Sequence, residues 1–217
     1  MTRSLFDEPP THYTAPESIA PGAFLLRGFA LDQTEALLQA VQQIIAVAPL
    51  RHLLTPGGRV MSVAMSNCGA LGWVSDRTGY RYSRADPLSG QPWPSMPACF
   101  TDLAMRAAAE AGYEGFAPDA CLINRYEPGA RMSLHQDRDE SDRGAPIVSV
   151  SLGLPAVFLF GGLQRSDRPA RWRLAHADVA VWGGASRLAF HGVSPLADGD
   201  HPRAGRQRIN LTFRRAG

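Results

Sequence analysis

The stretch SLHQDRDE, residues 133–140, sets a histidine and an aspartate two positions apart. Alternate side chains of an extended chain share a face, so His135 and Asp137 point the same way and form a preset pair of metal ligands. Alone, the pair equally suits a polar strand end closed by Asp as a turn former. A second such pair, His176 and Asp178 in RLAHADVAVW, reads as a turn, because Asp178 precedes an apolar strand and leaves room for about one strand before His191. Between Asp137 and His191 there is room for about four strands, enough for a sheet to wind back and bring His191 beside the first pair.

Two imidazoles and one carboxylate on one face of a metal leave three positions open, the arrangement of non-haem Fe(II) oxygenases. Such a site retains a net charge of about +1 with Fe(II), so it attracts an anionic chelator such as an α-keto acid and asks for a cationic anchor nearby. The segment RQRINLTFR supplies one: alternation puts Arg206, Arg208, Asn210, Thr212 and Arg214 on one face, and Gln207, Ile209, Leu211 and Phe213 on the other. An exposed sheet face would alternate in the same way, but guanidinium forks suit carboxylates. DACLINRY adds Asn124 and Tyr126 on one face, as donors to a carboxylate or as partners for core backbone groups.

These residues need a scaffold of strands. From residue 119 onward the chain reads as short strands broken by Gly, Pro or Asp: DACLINRY, RMSLH, PIVSVSLGL, AVFLF, RWRLA, DVAVW, RLAFH and RQRINLTFR. Strands without intervening helices predict an antiparallel barrel or jelly roll able to hold a ligand. Two helices precede them. Asp32 and Glu35 form a capping pair ahead of Leu37, Leu38, Val41, Ile44 and Ile45, with Pro49 as the stop. A second helix over about residues 97–111 carries Phe100, Leu103, Ala104, Ala107 and Ala111 on one stripe and ends at Gly112. Residues 50–96, with Trp73, Tyr80, Tyr82 and Trp93, read as a surface insertion, and residues 1–18 as a loosely held tail.

Composition narrows the class further. The 217 residues suit a single domain over residues 19–217. A formal charge of +2 is too small to mark a nucleic-acid binder by itself. All basic residues are Arg, as guanidinium recognition of phosphate or a GC-rich coding bias would each produce. Three cysteines without a CxxC indicate neither a disulfide framework nor a thiolate zinc site. No apolar run suits a spanning helix or secretory leader, so a cytoplasmic monomer with no membrane partner is the expectation.

NRY at 124–126, HQD at 135–137, His191 and RINLTFR at 208–214, with TPGGRVMSVAMSNCGALGW, PDACLINRYEPGARMSLHQDRDE and PIVSVSLGLPAVF, resemble the AlkB family of Fe(II)/2-oxoglutarate-dependent alkylation-repair dioxygenases, close to its bacterial members. Phe190, where a tyrosine is expected, and Arg131, where a lysine is usual, are mild departures. The resemblance implies a double-stranded β-helix, mainly β with flanking helices, and a substrate-recognition lid over about residues 50–96. It implies that His135, Asp137 and His191 hold Fe(II) and act catalytically. It further implies that Arg208, helped by Asn124 and Tyr126, holds the distal carboxylate of 2-oxoglutarate while Asn210 and Arg214 serve the keto-acid end. Thr55, Met65, Trp73 and Tyr80 are placed by it near the nucleotide, with Ser133, Asp139 and Arg165 opposite. The implied reaction consumes O2 and 2-oxoglutarate and removes methyl groups of the 1-methyladenine or 3-methylcytosine type from single- or double-stranded DNA, releasing formaldehyde, succinate and CO2. Arg51, Arg59, Arg77, Arg81 and Arg84 are then candidate phosphate contacts. The alternatives are a related dioxygenase acting on RNA, protein or a small metabolite, and a metal-binding β-barrel without chemistry.

Overall fold

The computed structural model describes residues 12–217. The expected tail lies outside the described residues up to position 11, and order within it begins before residue 18, because β1 spans Glu17–Ala20 and pairs antiparallel with β2, Ala23–Leu26. Helix α1, Thr34–Val47, follows a 3-10 turn over Leu31–Gln33. The anticipated Asp32–Glu35 capping pair does not form: among the described residues no side chain caps α1, because the 3-10 turn already carries the chain into the helix, with Gln33 N bonded to Ala30 O at 3.0 Å. Helix α2, Ala98–Glu110, buries Phe100, Leu103, Ala104 and Ala107, the stripe read from the sequence.

The remaining strands are β3 (Arg51–Leu54), β4 (Val60–Gly69), β5 (Gly72–Asp76), β6 (Gly79–Ser83), β7 (Ala120–Tyr126), β8 (Met132–His135), β9 (Ile147–Gly153), β10 (Ala156–Phe160), β11 (Ala170–Leu174), β12 (Val179–Trp182), β13 (His191–Val193) and β14 (Arg208–Arg214). They form an eight-stranded sheet in the order β1-β2-β12-β9-β14-β7-β4-β3, a four-stranded sheet β11-β10-β13-β8, and the separate hairpin β5-β6. Every pairing is antiparallel, and the two larger sheets build the jelly roll.

Period-two alternation decides what each face of the large sheet does. On β14, Ile209, Leu211 and Phe213 face α1 and α2 within one apolar cluster, which also takes Val148 and Val150 of β9 and Ile123 of β7. Phe213 meets Phe100 edge-on at 5.7 Å between centroids, a geometry worth about 1 kcal/mol beyond the buried area. The other face carries Arg208, Asn210, Thr212 and Arg214, all buried, beside Ser149 and Ser151 of β9 and Asn124 of β7. One sheet thus has an apolar side under the helices and a polar side inside the roll.

Three expectations need correction. Residues 50–96 are not wholly an insertion, since β3 and β4 extend the large sheet: the cross-strand match of Cys68 with Cys121 and Met65 with Asn124 seats β4 on β7, leaving only the β5-β6 hairpin apart from the sheets. RLAFH is not a strand before His191, because a 3-10 turn over Gly184–Ser186 turns the chain and the Arg187 side chain is drawn inward to buried acceptors. Arg206 precedes β14 and does not share its inner face; it is exposed and paired with Asp198 at 2.6 Å.

Candidate metal centre and active site

His135 ends β8 and His191 opens β13, and these two residues are cross-strand partners in the small sheet, with ring centroids 4.4 Å apart. The strands approach closely at that point because Gly192 follows His191; a Cβ there would lie 2.7 Å from the carbonyl oxygen of Met132. Asp137 reaches the same point from the loop after β8. Its Oδ1 lies 3.7 Å from His135 Nε2 and its Oδ2 3.8 Å from His191 Nε2, and one donor atom from each residue lies within 4.8 Å of the others.

The tautomers are preset by the backbone. Nδ1 of His135 sits 2.9 Å from the carbonyl of Ser133, and Nδ1 of His191 sits 3.0 Å from that of Ala189. A carbonyl can only accept, so each Nδ1 carries the proton and each Nε2 lone pair is left aimed at the shared centre. Burial, reinforced by His135, pushes His191 down to about 4, so its imidazole is neutral at physiological pH. Burial alone would raise the Asp137 carboxyl, but Arg214 first, then His191 and His135, hold it well below the usual carboxylate range. Two imidazole nitrogens and one anionic oxygen on one face are a donor set for Fe(II), and His135, with 38% of its side chain exposed against 7% for His191, marks the open side.

The inner face of β14 supplies the co-substrate anchor. Arg208 is 1% exposed, its guanidinium lies 5.0 Å over the Tyr126 ring, and Nη2 donates to Ser151 Oγ at 2.9 Å. Among the described residues its Nε and Nη1 have no partner, and burial pulls its pKa down. Two unmatched donors on a buried cation fit the carboxylate of a bound keto acid. Asn210 is fully engaged instead: Nδ2 donates to Ser149 Oγ and Val150 O at 2.8 and 3.0 Å, while Oδ1 accepts from Asn124 Nδ2 and Thr212 Oγ1. Its contacts hold Asn124 and bind β14 to β9. Arg214 lies at the metal end, with Nε and Nη2 donating to Asp137 Oδ2 at 3.1 and 2.9 Å.

The β5-β6 hairpin stands beside this mouth. Trp73 and Tyr80 stack at 5.4 Å and 17°, and Trp73 Nε1 donates to Asp139 Oδ2 at 3.0 Å. Met65 is buried in β4, in the cluster that holds Tyr126 and packs Trp73 and Met132. Ser133 is exposed beside His135, Thr55 Oγ1 accepts from Arg59 N within the β3-β4 turn, and Arg165 lies 5.8 Å over the Phe190 ring. Asp178 of the second HxD takes Gly28 N and Ala175 N and pairs with Arg27, which is turn chemistry. Among the proposed phosphate contacts, Arg51 is committed to Asp86 and Arg81 to Asp76.

A profile described as the 2OG-Fe(II) oxygenase superfamily matches residues 22–214. "Alpha-ketoglutarate-dependent dioxygenase AlkB" of Salmonella typhimurium is 57% identical over 200 residues, spanning 92% of this chain and 93% of that protein. The chain belongs to the AlkB family. The Escherichia coli AlkB is likewise 57% identical, over 201 residues, covering 93% of each chain. The solved structure of OsALKBH1 superposes with a TM-score of 0.81 at 29% identity, covering 92% of this chain and 99% of that one. This member of the family is an Fe(II)/2-oxoglutarate-dependent dioxygenase with a jelly-roll core. The His135, Asp137 and His191 cluster fits the iron its family uses. No helix of the described residues is long and apolar enough to cross a membrane.

Reading the residues one by one missed three: Glu140, Arg187 and Tyr82, all bonded around the metal loop. Glu140 carried a weak signal, as an acid directly after the DRD of the metal loop. Arg187 was hidden in a segment read as an apolar strand.

Proposed function

We propose that this AlkB-family enzyme removes alkyl groups from ring nitrogens of DNA bases, of the 1-methyladenine and 3-methylcytosine type, preferring a single strand or a base flipped from a duplex. The carrying observation is the Trp73–Tyr80 pair, stacked at 5.4 Å and tied through Trp73 Nε1 to Asp139, two residues beyond the metal ligand Asp137. A base methylated at a ring nitrogen is cationic, so an indole face offers about 1 kcal/mol of cation–π attraction and a nearby carboxylate a charge-assisted hydrogen bond. The methylated pairing edge is accessible only outside the base stack, and a damaged pair is cheaper to open. The name "DNA N(6)-methyladenine demethylase" of an Arabidopsis relative, 31% identical over 229 residues, supports a nucleobase substrate.

Fe(II) with 2-oxoglutarate and O2 supplies the oxidation, the co-substrate leaving as succinate and CO2 and the alkyl carbon as an aldehyde. The chain does the positioning. Arg208, over the Tyr126 ring and beside Asn124, anchors the distal carboxylate, and Arg214 serves the end nearest the metal. Trp73 and the His135 ring flank the base, while Met65 closes the apolar side of the clamp and Thr55 lies at the lid tip. Ser133, Asp139 and Arg165 meet the nucleotide from the opposite rim. Exposed Arg59, Arg77 and Arg84 are the phosphate contacts left after Arg51 and Arg81 are internally paired.

The test is an assay of succinate and formaldehyde with Fe(II), 2-oxoglutarate and oligonucleotides carrying 3-methylcytosine, with matched RNA and unmethylated strands in parallel. Formaldehyde in proportion to succinate on methylated DNA is the expected result; succinate without formaldehyde on every methylated strand overturns the reading.

A further inference from the structure

Asp139 and Glu140 are consecutive, and the β5-β6 hairpin holds both. Trp73 Nε1 donates to Asp139 at the exposed rim, and one level down Tyr82 Oη donates to Glu140 Oε1 at 2.7 Å. Trp73 and Tyr82 are cross-strand partners, so the hairpin side that carries the clamp also grips the metal loop.

Glu140 is 4% exposed, and a carboxylate so deeply placed must be matched by cations. Its Oε1 lies 3.2 Å from Arg214 Nε and its Oε2 3.2 Å from Arg187 Nη2. Arg214 Nε is the same group that donates to Asp137 Oδ2, and Arg187 Nη1 donates to the Asp137 carbonyl at 2.7 Å. Among the described residues, Glu140 alone touches the hairpin, the guanidinium that orients the metal carboxylate, and the guanidinium that clasps its backbone.

We propose that Glu140 is a positioning residue that passes the seating of the β5-β6 hairpin to Arg214 and so to Asp137, coupling the filling of the base clamp to the grip on metal and keto acid. The sign follows from the shared donor. While Tyr82 satisfies part of Oε1, that oxygen competes weakly for Arg214 Nε, and Arg214 stays on Asp137. When the hairpin lifts, Tyr82 withdraws and Oε1 pulls Nε away. Coupling of this kind is reciprocal: a bound methylated strand tightens keto-acid binding by the factor with which the keto acid tightens the strand. The coupling rests on the hairpin being the base clamp; the hold of Glu140 on Arg214 does not.

The experiment is an anaerobic titration of the Fe(II)-loaded enzyme with 2-oxoglutarate, read by the visible absorption of the chelate, with and without a methylated oligonucleotide. In the parent, the oligonucleotide should tighten 2-oxoglutarate roughly fivefold or more. Tyr82→Phe should bind the strand but lose that shift. Glu140→Gln, which preserves shape and an acceptor for Tyr82 but removes the charge that competes for Arg214 Nε, should tighten the strand-free chelate roughly fivefold, towards the parent's strand-bound value. A full shift in Tyr82→Phe, no shift in a parent that binds the strand, or parent-like chelation by Glu140→Gln overturns the proposal. A parent that binds no methylated strand sinks the substrate reading instead, and Glu140→Gln still judges the positioning role. Should Glu140→Gln fail to fold, Tyr82→Phe decides alone.

Discussion

Arg214 donates both Nε and Nη2 to one oxygen of Asp137, Oδ2, at 3.1 and 2.9 Å, joining the last residue of β14 to the loop after β8. Both side chains are buried, so the pair is screened little by solvent. The carboxylate is therefore anionic and oriented before any cation arrives. Arg214 also meets Glu140 at 3.2 Å, a division that only a planar fork can sustain.

Arg214→Lys should keep the charge and lose the fork. One ammonium cannot reproduce the geometry at both carboxylates, so Fe(II) affinity should fall by about 10- to 100-fold with the fold retained. Arg214→Met should do worse, leaving two buried carboxylates short of a cation at a cost of roughly 3–5 kcal/mol. Anaerobic metal titration beside urea unfolding separates the two; equal metal affinity in parent and Arg214→Lys contradicts the argument.

Arg208 presents the opposite case. It is 1% exposed and has two unmatched donors, so the chain alone gains little from its charge. Replacing such a group with an apolar side chain of similar length is commonly neutral or stabilising. Arg208→Met should therefore leave the urea midpoint unchanged or raised while 2-oxoglutarate affinity drops about 100-fold or more, since a charge-assisted fork to a carboxylate is lost. A destabilised variant with intact keto-acid binding would place the function of Arg208 in the core.

The parts of this site that could be read from sequence are those that obey a short period. Alternation along RINLTFR separated Arg208, Asn210, Thr212 and Arg214 from Ile209, Leu211 and Phe213, and the sheet uses both faces that way. HQD gave two ligands at once, and the separation to His191 is filled by β9, β10, β11 and β12. What could not be read depends on chain reversal between distant segments. Cross-strand pairing of β4 with β7 put part of the presumed insertion into the large sheet. The inward turn of Arg187 exists because buried acceptors at Asp137 and Glu140 await it, and no local pattern encodes them. Asn210 was visible as polar and inward, but its full engagement with Ser149, Val150, Asn124 and Thr212 is a property of three strands together.

The stacked Trp73 predicts a selective loss. Base–aromatic stacking is worth about 1–3 kcal/mol, and cation–π attraction adds about 1. Trp73→Ala should thus cut turnover of a methylated oligonucleotide by roughly 100-fold, while succinate formed without substrate stays near the parent rate because the metal ligands are untouched. Parallel succinate and formaldehyde assays read both. Equal loss of the two would mean that Trp73 supports the metal loop through Asp139 and not the base.

A last prediction concerns His176, which the metal site does not use. Its Nδ1 accepts the Gly153 backbone N–H at 2.9 Å, and its ring lies 4.3 Å from that of His201. Burial, then the neighbouring His201 and Arg203, push its pKa down to about 4 from an unfolded value near 6.5. Below 6.5 the unfolded chain takes up the proton more readily, so this contribution to stability is complete near neutral pH and is lost as pH falls towards 4. The ring is half-exposed, and solvent screening reduces the loss to about 1–2 kcal/mol. His176→Asn offers a carbonyl to Gly153 and no titration. Its thermal midpoint should fall less than the parent's between pH 7 and about 4.5, and parallel falls in the two proteins would assign the acid sensitivity elsewhere.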